Sequence, residues 1–195
     1  MAKYNREQII LKGIELLQQE GFVGFGILKL LKVCNMPKGS FYNFFESKEA
    51  FVKEAIEYYN SAILQKIDEI DKAPLNEYQK IETFFINANK FFADGEYKKS
   101  CPMINITTDS IMEGNLFSDL ITQNFNSHKV YLQKWINIAQ ETGLIKNLSP
   151  AAELTHIIYD NYHGAVIRMK YEKSDTPLEN YIKNFLPMVL QKSDN

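Results

Sequence analysis

Apolar residues recur along this chain at the three-to-four-residue spacing of amphipathic helices. In the first such stretch, Ile10, Ile14 and Leu17 share one side, and polar residues occupy the other sides. Gly21 follows this stretch and suits the left-handed conformation that ends many helices. The sequence contains no alternating run bounded by turns that would indicate a sheet, so the pattern predicts an all-α chain.

The N-terminal residues predict a three-helix head. A second short helix contains Leu30 and Leu31, Asn35 suits a tight turn, and Pro37 suits the first turn of a third helix over residues 37–44. This is the layout of a helix-turn-helix, whose second helix enters the major groove of DNA. Residues 37–44 are called the recognition segment below.

A larger helical domain, residues 51–195, is predicted to follow the helix-turn-helix head of residues 1–50. A long helix begins near this boundary, where Ser47 can cap it, and reaches about residue 71. Glycines, prolines and a Ser-Asp-Thr-Pro turn divide the remainder into further predicted helices. These helices span 75–94, 102–112, 116–142, 150–172 and 177–191.

Charge changes this picture only locally. The 195-residue chain has a formal net charge of −2, so its overall charge does not indicate a nucleic-acid partner. Residues 29–53 contain five lysines and two glutamates, a net charge of +3, where a groove-reading element would lie. We therefore include Lys29 among the predicted DNA contacts. A phosphate near Lys48 would meet both its ammonium and a helix N-terminus.

The recognition segment carries side chains that suit a phosphate-lined groove. Lys38 supplies positive charge, while Ser40 and Asn43 can hydrogen-bond to base edges or phosphates. Tyr42 offers a hydroxyl on a rigid ring, and Gly39 lets the backbone approach DNA closely. The sequence therefore predicts double-stranded DNA as a partner.

Beginning with the pair Gly21-Phe22, the head resembles that of the TetR/AcrR family. Residues 37–51 read Pro-Lys-Gly-Ser-Phe-Tyr-Asn-Phe-Phe-Glu-Ser-Lys-Glu-Ala-Phe, close to a family run of the form Ser-Lys-Gly-Ser-Phe-Tyr-x-His-Phe-x-Ser-Lys-Glu-x-Leu. The similarity covers residues 5–55. It implies a homodimeric repressor that leaves its operator when a small molecule enters the larger domain.

The resemblance also assigns roles by position. It implies that Lys38 and Ser40 face the groove and that Tyr42 and Lys48 contact phosphates. The chain departs from the pattern at Phe25-Gly26, where the family usually has Thr-Ser, so a helix cap and a phosphate contact are missing. Whether this change impairs DNA binding is left open at this stage.

The larger domain is rich in aromatic residues at helical spacing. Most are expected to pack in its core, although such a bundle can also house a small-molecule pocket. The resemblance implies that the inducer binds in this domain. The residues considered for the pocket are Cys101, Met103, Trp135, Tyr159, Tyr162 and His163.

The C-terminal helices resemble the dimerisation helices of the same family. Gly164 and Ala165 are small enough for two helices to approach closely, and Arg168 is a candidate interface anchor. His156, Asp160 and His163 have metal-capable spacing on one helix face, but polar pocket or interface roles are more common. We predict neither a metal site nor a cofactor.

The cysteines and the hydropathy indicate a cytoplasmic protein. Two cysteines cannot build a disulfide framework, and no stretch approaches the roughly 20 apolar residues of a membrane span. Cys101 lies near a predicted helix N-terminus, where a thiol pKa can fall, so a redox or electrophile sensor is an alternative to an unreactive thiol.

Two other functional classes stay open. A helix-turn-helix relic could act as a ligand carrier or interaction protein, as the altered residues 25–26 suggest. A small helical enzyme is less favoured, because the sequence offers neither a nucleophile with a base and an orienting group, nor a phosphate loop, nor an HExxH motif. We expect a regulator that is not an enzyme.

Overall fold

The computed structural model describes residues 4–93, 101–112 and 114–193, and within these ranges the chain is helical, without a β-strand. This confirms the predicted all-α fold. Within the same ranges no helix is both long and apolar enough to cross a lipid bilayer. The helices are α1 (Arg6–Gly24), α2 (Ile27–Val33), α3 (Lys48–Lys72), α4 (Glu77–Ala93), α5 (Pro102–Met112), α6 (Ser118–Glu141), α7 (Ala151–Glu172), α8 (Thr176–Asn180) and α9 (Leu186–Leu190).

The chain forms two compact units, each of which is discontinuous in sequence. The first contains Met1–Ile63 and Lys99–Asn124, and the second contains Leu64–Lys98 and Phe125–Asn195. Helix α5 therefore belongs to the same unit as the N-terminal helices. The division into functional domains after residue 50 stays a prediction.

Helix α1 begins and ends where its sequence signals lie. The side chain of Asn5 caps its first turn, because its Oδ1 accepts a hydrogen bond from the backbone N–H of Glu7 at 2.9 Å. Gly21 has φ of +68°, the left-handed region expected of a glycine at a helix end. One additional turn then runs to Gly24, so the element is longer than predicted.

An aromatic cluster forms the core of the head. The fully buried Phe51 lies at its centre, with ring centroids 5.3 Å from Phe25, 4.8 Å from Phe45 and 5.9 Å from Phe41. A Cβ at Gly13 would lie 2.1 Å from the Phe51 ring, so only a glycine leaves room for it. Burying each ring stabilises the head by about 2–3 kcal/mol.

The recognition segment forms tight turns rather than the α-helix predicted over 37–44. The amide N of Ser40 donates to the carbonyl of Pro37 at 3.0 Å, and that of Phe44 to Phe41 at 2.9 Å, while Phe41–Asn43 is a 3₁₀ turn. An eight-residue α-helix is marginal because nucleation is costly, and Gly39 disfavours it further. Packing of its phenylalanines therefore determines the local conformation.

The second unit has its own core. Trp135 is fully buried, and its Nε1 donates to Oδ1 of Asp71 at 2.8 Å. The Nζ of Lys134 donates to the same carboxylate at 2.8 Å, and these hydrogen bonds, from Lys134 first and then Trp135, lower the pKa of Asp71. The pairing joins the C-terminal part of α3 to α6.

The last predicted helix, 177–191, is not continuous. A π-helical turn, Tyr181–Phe185, separates α8 from α9. Pro187 lacks the N–H that a regular α-helix would use, and a local change of register accommodates this loss. The hydroxyl of Tyr181 donates to the carbonyl of Ile158 at 2.7 Å, which fixes the turn against α7.

Candidate nucleic-acid interface and ligand core

The recognition segment presents its polar side chains outward. Phe41 and Phe45 are only 1% and 4% exposed and anchor the segment in the aromatic core. Tyr42 is 66% exposed, with its ring edge-on to Phe41 at 5.4 Å. The structure thus leaves most of the predicted polar residues of this segment accessible to solvent. Exposed are Lys38, Gly39, Tyr42 and Asn43, and Ser40 is half-buried.

Lys29 lies on α2 and takes part in a surface ion pair. Its Nζ lies 2.6 Å from both carboxylate oxygens of Glu20. Exposed pairs of this kind contribute about 0–1 kcal/mol, so a nearby phosphate can compete for the lysine at little cost.

Lys48 has an internal contact that the sequence did not reveal. Its Nζ donates to the backbone carbonyl of Phe22 at 2.8 Å and lies 4.2 Å from the centroid of the same ring. The side chain is half-buried. Because an ammonium has three donors, Lys48 can still meet a phosphate, but its first role in the unbound protein is to hold the residue after Gly21.

The altered start of α2 has a packing explanation. Phe25 is 2% exposed and stacks on Phe51, and Gly26 occupies the N-cap position of α2. At the two positions where the family usually has Thr-Ser, the chain thus has a buried core aromatic and a glycine that offers no capping side chain. The change therefore removes two hydroxyl groups and adds an aromatic ring to the core of the head.

Arg6 was missed by the sequence analysis. Its guanidinium forms an ion pair with Glu54, donates to the backbone carbonyl of Phe44 and lies 4.5 Å from the ring centroid of Phe45. These contacts tie α1 and α3 to the end of the recognition segment. A lone arginine in a hydrophilic N-terminus gives no sequence signal for such a role.

In the first unit, two of the predicted pocket residues are buried: Cys101 immediately precedes α5 and Met103 lies in its first turn. The Nδ2 of Asn124 lies 3.7 Å from the Sδ of Met103. Burial raises the pKa of the Cys101 thiol to about 11, despite its position at the start of a helix. This argues against a resting thiolate at that position.

We expect Cys101 to react slowly with a thiol-specific alkylating agent at neutral pH. With a pKa of about 11, only about one molecule in ten thousand carries the reactive thiolate at pH 7. Mass spectrometry of a Cys34→Ser variant, native and then in urea, isolates this thiol. Rapid labelling of the native protein would contradict the expectation and support the sensor alternative.

In the second unit, Trp135, Tyr159 and Tyr162 of the predicted pocket residues are buried, and His163 is half-buried. Tyr159 and His163 have ring centroids 4.5 Å apart, and the hydroxyl of Tyr162 donates to Oδ1 of Asn89 at 2.8 Å. Trp135, bonded to Asp71, belongs to the structural core of this unit. Of the predicted set, Tyr159 and His163 form the pair most directly in contact.

His128 joins this pair and was missed as a site residue. Its Nδ1 lies 2.8 Å from the hydroxyl of Tyr159, and its side chain is 3% exposed. Burial lowers the pKa of His128 and that of His163 to about 4, and Lys129 adds to the effect at His163 while Asp160 opposes it. We call His128, Tyr159 and His163 the histidine–tyrosine cluster.

No three histidine, cysteine, aspartate or glutamate side chains in the described part of the chain are placed to hold a metal ion. His156 is exposed, and its Nδ1 lies 3.4 Å from the Nζ of Lys129. His163, which shares the metal-capable spacing with His156, packs against Tyr159 instead.

The predicted dimer residues differ in accessibility. Gly164 and Arg168 are exposed on α7, and Arg168 pairs with Glu172 one turn later at 2.8 Å. Ala165 is buried inside its own unit, so it is not available on the surface of that unit. Exposed apolar residues, Ile157 and Tyr171, extend the face on which Gly164 lies.

Comparison with known families gives two matches. Residues 9–55 match the family described as bacterial regulatory proteins, tetR family. Residues 78–185, more than half of the chain, match the family described as tetracyclin repressor-like, C-terminal domain. The first match contains the recognition segment, and the second contains the histidine–tyrosine cluster.

Individual relatives are similar along nearly the whole chain. The HTH-type transcriptional repressor DhaR of Mycobacterium sp. (strain GP1) is 25% identical over 97% of this chain and 94% of its own length. The HTH-type transcriptional repressor NemR of Escherichia coli (strain K12) is 24% identical over 93% of each chain. The crystal structure of a regulatory protein TetR from Rhodobacter sphaeroides has the same fold, with a TM-score of 0.86, 22% identity and coverage of 92% and 96%.

Proposed function

This chain belongs to the TetR family of bacterial regulatory proteins and is a DNA-binding transcriptional regulator, and from that premise we propose that it represses transcription as a homodimer. A small molecule bound in the second unit releases it from its operator. The proposal is supported above all by the recognition segment, in which Lys38, Tyr42 and Asn43 are exposed while Phe41 is buried in the aromatic core. DhaR and NemR, both described as repressors, support repression rather than activation.

The recognition segment provides the base and phosphate contacts. Lys38 and Asn43 are exposed and, with Ser40, present a donor-rich edge to the major groove. Tyr42 directs a hydroxyl toward the phosphate backbone, and Lys29 adds charge from α2. This assignment makes the head the sequence-reading part of the molecule, and we infer that the protein works in the cytoplasm, with the DNA it reads.

Two copies associate through α7 and the C-terminal segment. Gly164 leaves room for close helix approach, and Ile157 and Tyr171 offer apolar surface on the same face. Arg168 lies on this face and can exchange its pairing with Glu172 for a partner across the interface. A dimer is needed because successive major grooves present two half-sites to two heads.

The ligand binds among the aromatic and imidazole side chains of the second unit. The histidine–tyrosine cluster supplies neutral ring nitrogens and a phenol, which suit a small molecule with mixed apolar and polar character. We propose ligand binding by population shift: the ligand favours a spacing of the heads that no longer fits the operator. This role requires no catalytic step, in keeping with a regulator that is not an enzyme.

A binding experiment with matched variants tests the DNA-binding role. We expect the double change Lys38→Ala and Tyr42→Ala to weaken binding to a duplex from the region upstream of this gene by about tenfold to a hundredfold. Gel-shift titrations over a range of salt concentrations should also give a shallower salt dependence, because phosphate contacts are lost.

The control is Lys66→Ala, which removes the same charge from an exposed position on α3 outside the head. It should bind like the unchanged protein. Equal affinity of the double variant and the control would contradict the assigned contacts. Sedimentation as a monomer at working concentration would contradict the dimer, and absence of binding by every form would favour the relic or carrier alternative.

A further inference from the structure

Helix α5 reaches the end of α1 with an amide side chain. The Nδ2 of Asn105 donates to the backbone carbonyl of Gln18 at 2.8 Å and to that of Leu17 at 3.3 Å. Carbonyls in the last turn of a helix lack partners within the helix and need them from elsewhere. Asn105 thus caps α1 from a position 87 and 88 residues further along the chain.

One turn later on α5, a carboxylate holds the next residues. The Oδ2 of Asp109 accepts hydrogen bonds from the backbone N–H groups of Phe22 at 2.7 Å and Val23 at 3.1 Å. Asn105 and Asp109 are four residues apart and so share one side of α5. Hydrogen bonds to a carboxylate are stronger than those of a neutral amide, so the bonds to Asp109 stabilise this contact more than the bonds from Asn105.

Gly21 is the residue that permits this approach. Its φ of +68° suits glycine, and a Cβ placed there would lie 2.3 Å from the Oδ2 of Asp109. Both the conformation and the contact therefore require the absence of a side chain. We call residues 21–23, with Asn105 and Asp109, the α1–α5 joint.

Phe22 connects this joint to the recognition segment. Its carbonyl accepts the hydrogen bond from Nζ of Lys48, its ring lies 4.2 Å from that ammonium, and its ring packs edge-on against Phe117 at 5.1 Å. Lys48 is the first residue of α3 and follows the recognition segment by four positions. A displacement of Phe22 therefore reaches the end of the segment that reads DNA.

From these contacts we infer that Asn105 and Asp109 are positioning residues for DNA binding, which hold the recognition segment in its binding orientation through Phe22 and Lys48. The inference rests on the proposed DNA-binding function. Helix α5 thereby acts as part of the head, although the sequence on both sides of residues 99–124 belongs to the second unit. A change at α5 alters DNA affinity without any contact between α5 and DNA.

The test compares affinity for two duplexes. One is selected by the unchanged protein from random sequence, and the other is an unselected duplex of equal length. Since charge dominates non-specific binding while orientation decides base contacts, a positioning defect lowers only the first affinity. We expect Asp109→Ala and Asn105→Ala to reduce the ratio of the two affinities about tenfold, as expected for the loss of partly buried hydrogen bonds.

The matched control is Thr108→Ala on the same helix, whose side chain is exposed and whose hydroxyl donates to the carbonyl of Asn105 within α5. The ratio of its affinities for the two duplexes should stay within twofold of the ratio for the unchanged protein. Asp109→Asn keeps one acceptor oxygen, so its affinity ratio should lie between those of Asp109→Ala and Thr108→Ala. It replaces Asp109→Ala if that variant does not fold. Amide hydrogen exchange, which needs no DNA, should be faster at Phe22, Val23 and the recognition segment in the Asp109 variants.

An unchanged affinity ratio in folded Asn105 and Asp109 variants would overturn the inference, as would an equal loss in Thr108→Ala. Unchanged exchange in the recognition segment would also overturn it, because the connection through Phe22 would then be ineffective. If the protein without any substitution binds both duplexes equally, the proposed function is contradicted instead. Amide exchange needs no DNA, so it still shows whether the α1–α5 joint holds the recognition segment.

Discussion

A Phe51→Ala variant is expected to lose about 3–5 kcal/mol of unfolding free energy, the range for removal of a large buried aromatic side chain. Phe51 is fully buried and lies at the centre of the aromatic cluster, between Phe25 and Phe45. Its removal leaves a cavity under the recognition segment. Gly13, which leaves space for the ring, cannot fill that cavity.

Thermal unfolding followed by far-ultraviolet circular dichroism measures this loss. A chain of this size loses about 2–4 °C of Tm for each kcal/mol, so the transition of the head should fall by about 6–20 °C. Leu28→Ala is the control, because Leu28 is in the same head but 65% exposed. It should shift the transition little. Similar Tm values for the two variants would show that the aromatic cluster does not hold the head.

The second large effect is on pH dependence, and it arises from the histidine–tyrosine cluster. Burial lowers the pKa values of His128 and His163 to about 4, below the value of about 6.5 expected in the unfolded chain. The unfolded state therefore binds protons first as pH falls. The stability that these neutral rings confer is complete above about pH 6.5 and is lost between about pH 6.5 and 4.

Each unit of pKa difference is worth about 1.4 kcal/mol, so the buried His128 ring alone accounts for about 3 kcal/mol across this window. Urea denaturation at several pH values between 5 and 7 measures how steeply the free energy of unfolding changes with pH. His128→Asn, which can still bond to the hydroxyl of Tyr159, should flatten the profile. His156→Gln is the control at an exposed position, and an equally steep profile in the His128 variant would contradict the assignment.

Several elements were predictable because their signals are local. Ser47 caps α3 as expected, with its Oγ accepting from the N–H of Ala50 at 3.1 Å. Asn35 adopts φ of +53°, and Gly21 adopts the left-handed conformation that its position after an apolar stretch indicated. In each case a single residue type has a strong conformational preference, and the fold agrees with it.

Other features depend on residues far apart in sequence and had no local signal. The bond from Lys48 to Phe22 spans 26 residues, and those from α5 to α1 span more than 80. The sequence indicated Lys48 as a phosphate contact, a role that stays a prediction. Its internal bond became visible only when folding placed Phe22 beside it.

The recognition segment shows how tertiary packing outweighs local pattern. Its residue types predicted its exposed polar chemistry, but not its conformation. A helix starting at Pro37 was reasonable, yet Phe41 within the segment and Phe45 just after it must both reach the core, and 3₁₀ and turn geometry achieves this. The register change before Pro187, by contrast, has a local cause in the missing N–H of that proline, which the spacing of apolar residues alone does not show.

Trp135 is the chain's single tryptophan, and it is fully buried in the second unit with its indole N–H bonded to Asp71. Intrinsic fluorescence excited at the red edge of the tryptophan absorption band, where the eleven tyrosines do not absorb, therefore reports the environment of that unit alone. If the two units melt separately, emission and circular dichroism will give different midpoints, and a single free energy will not describe the transition. The molecule thus carries a built-in optical probe for distinguishing ligand effects on the second unit from damage to the head.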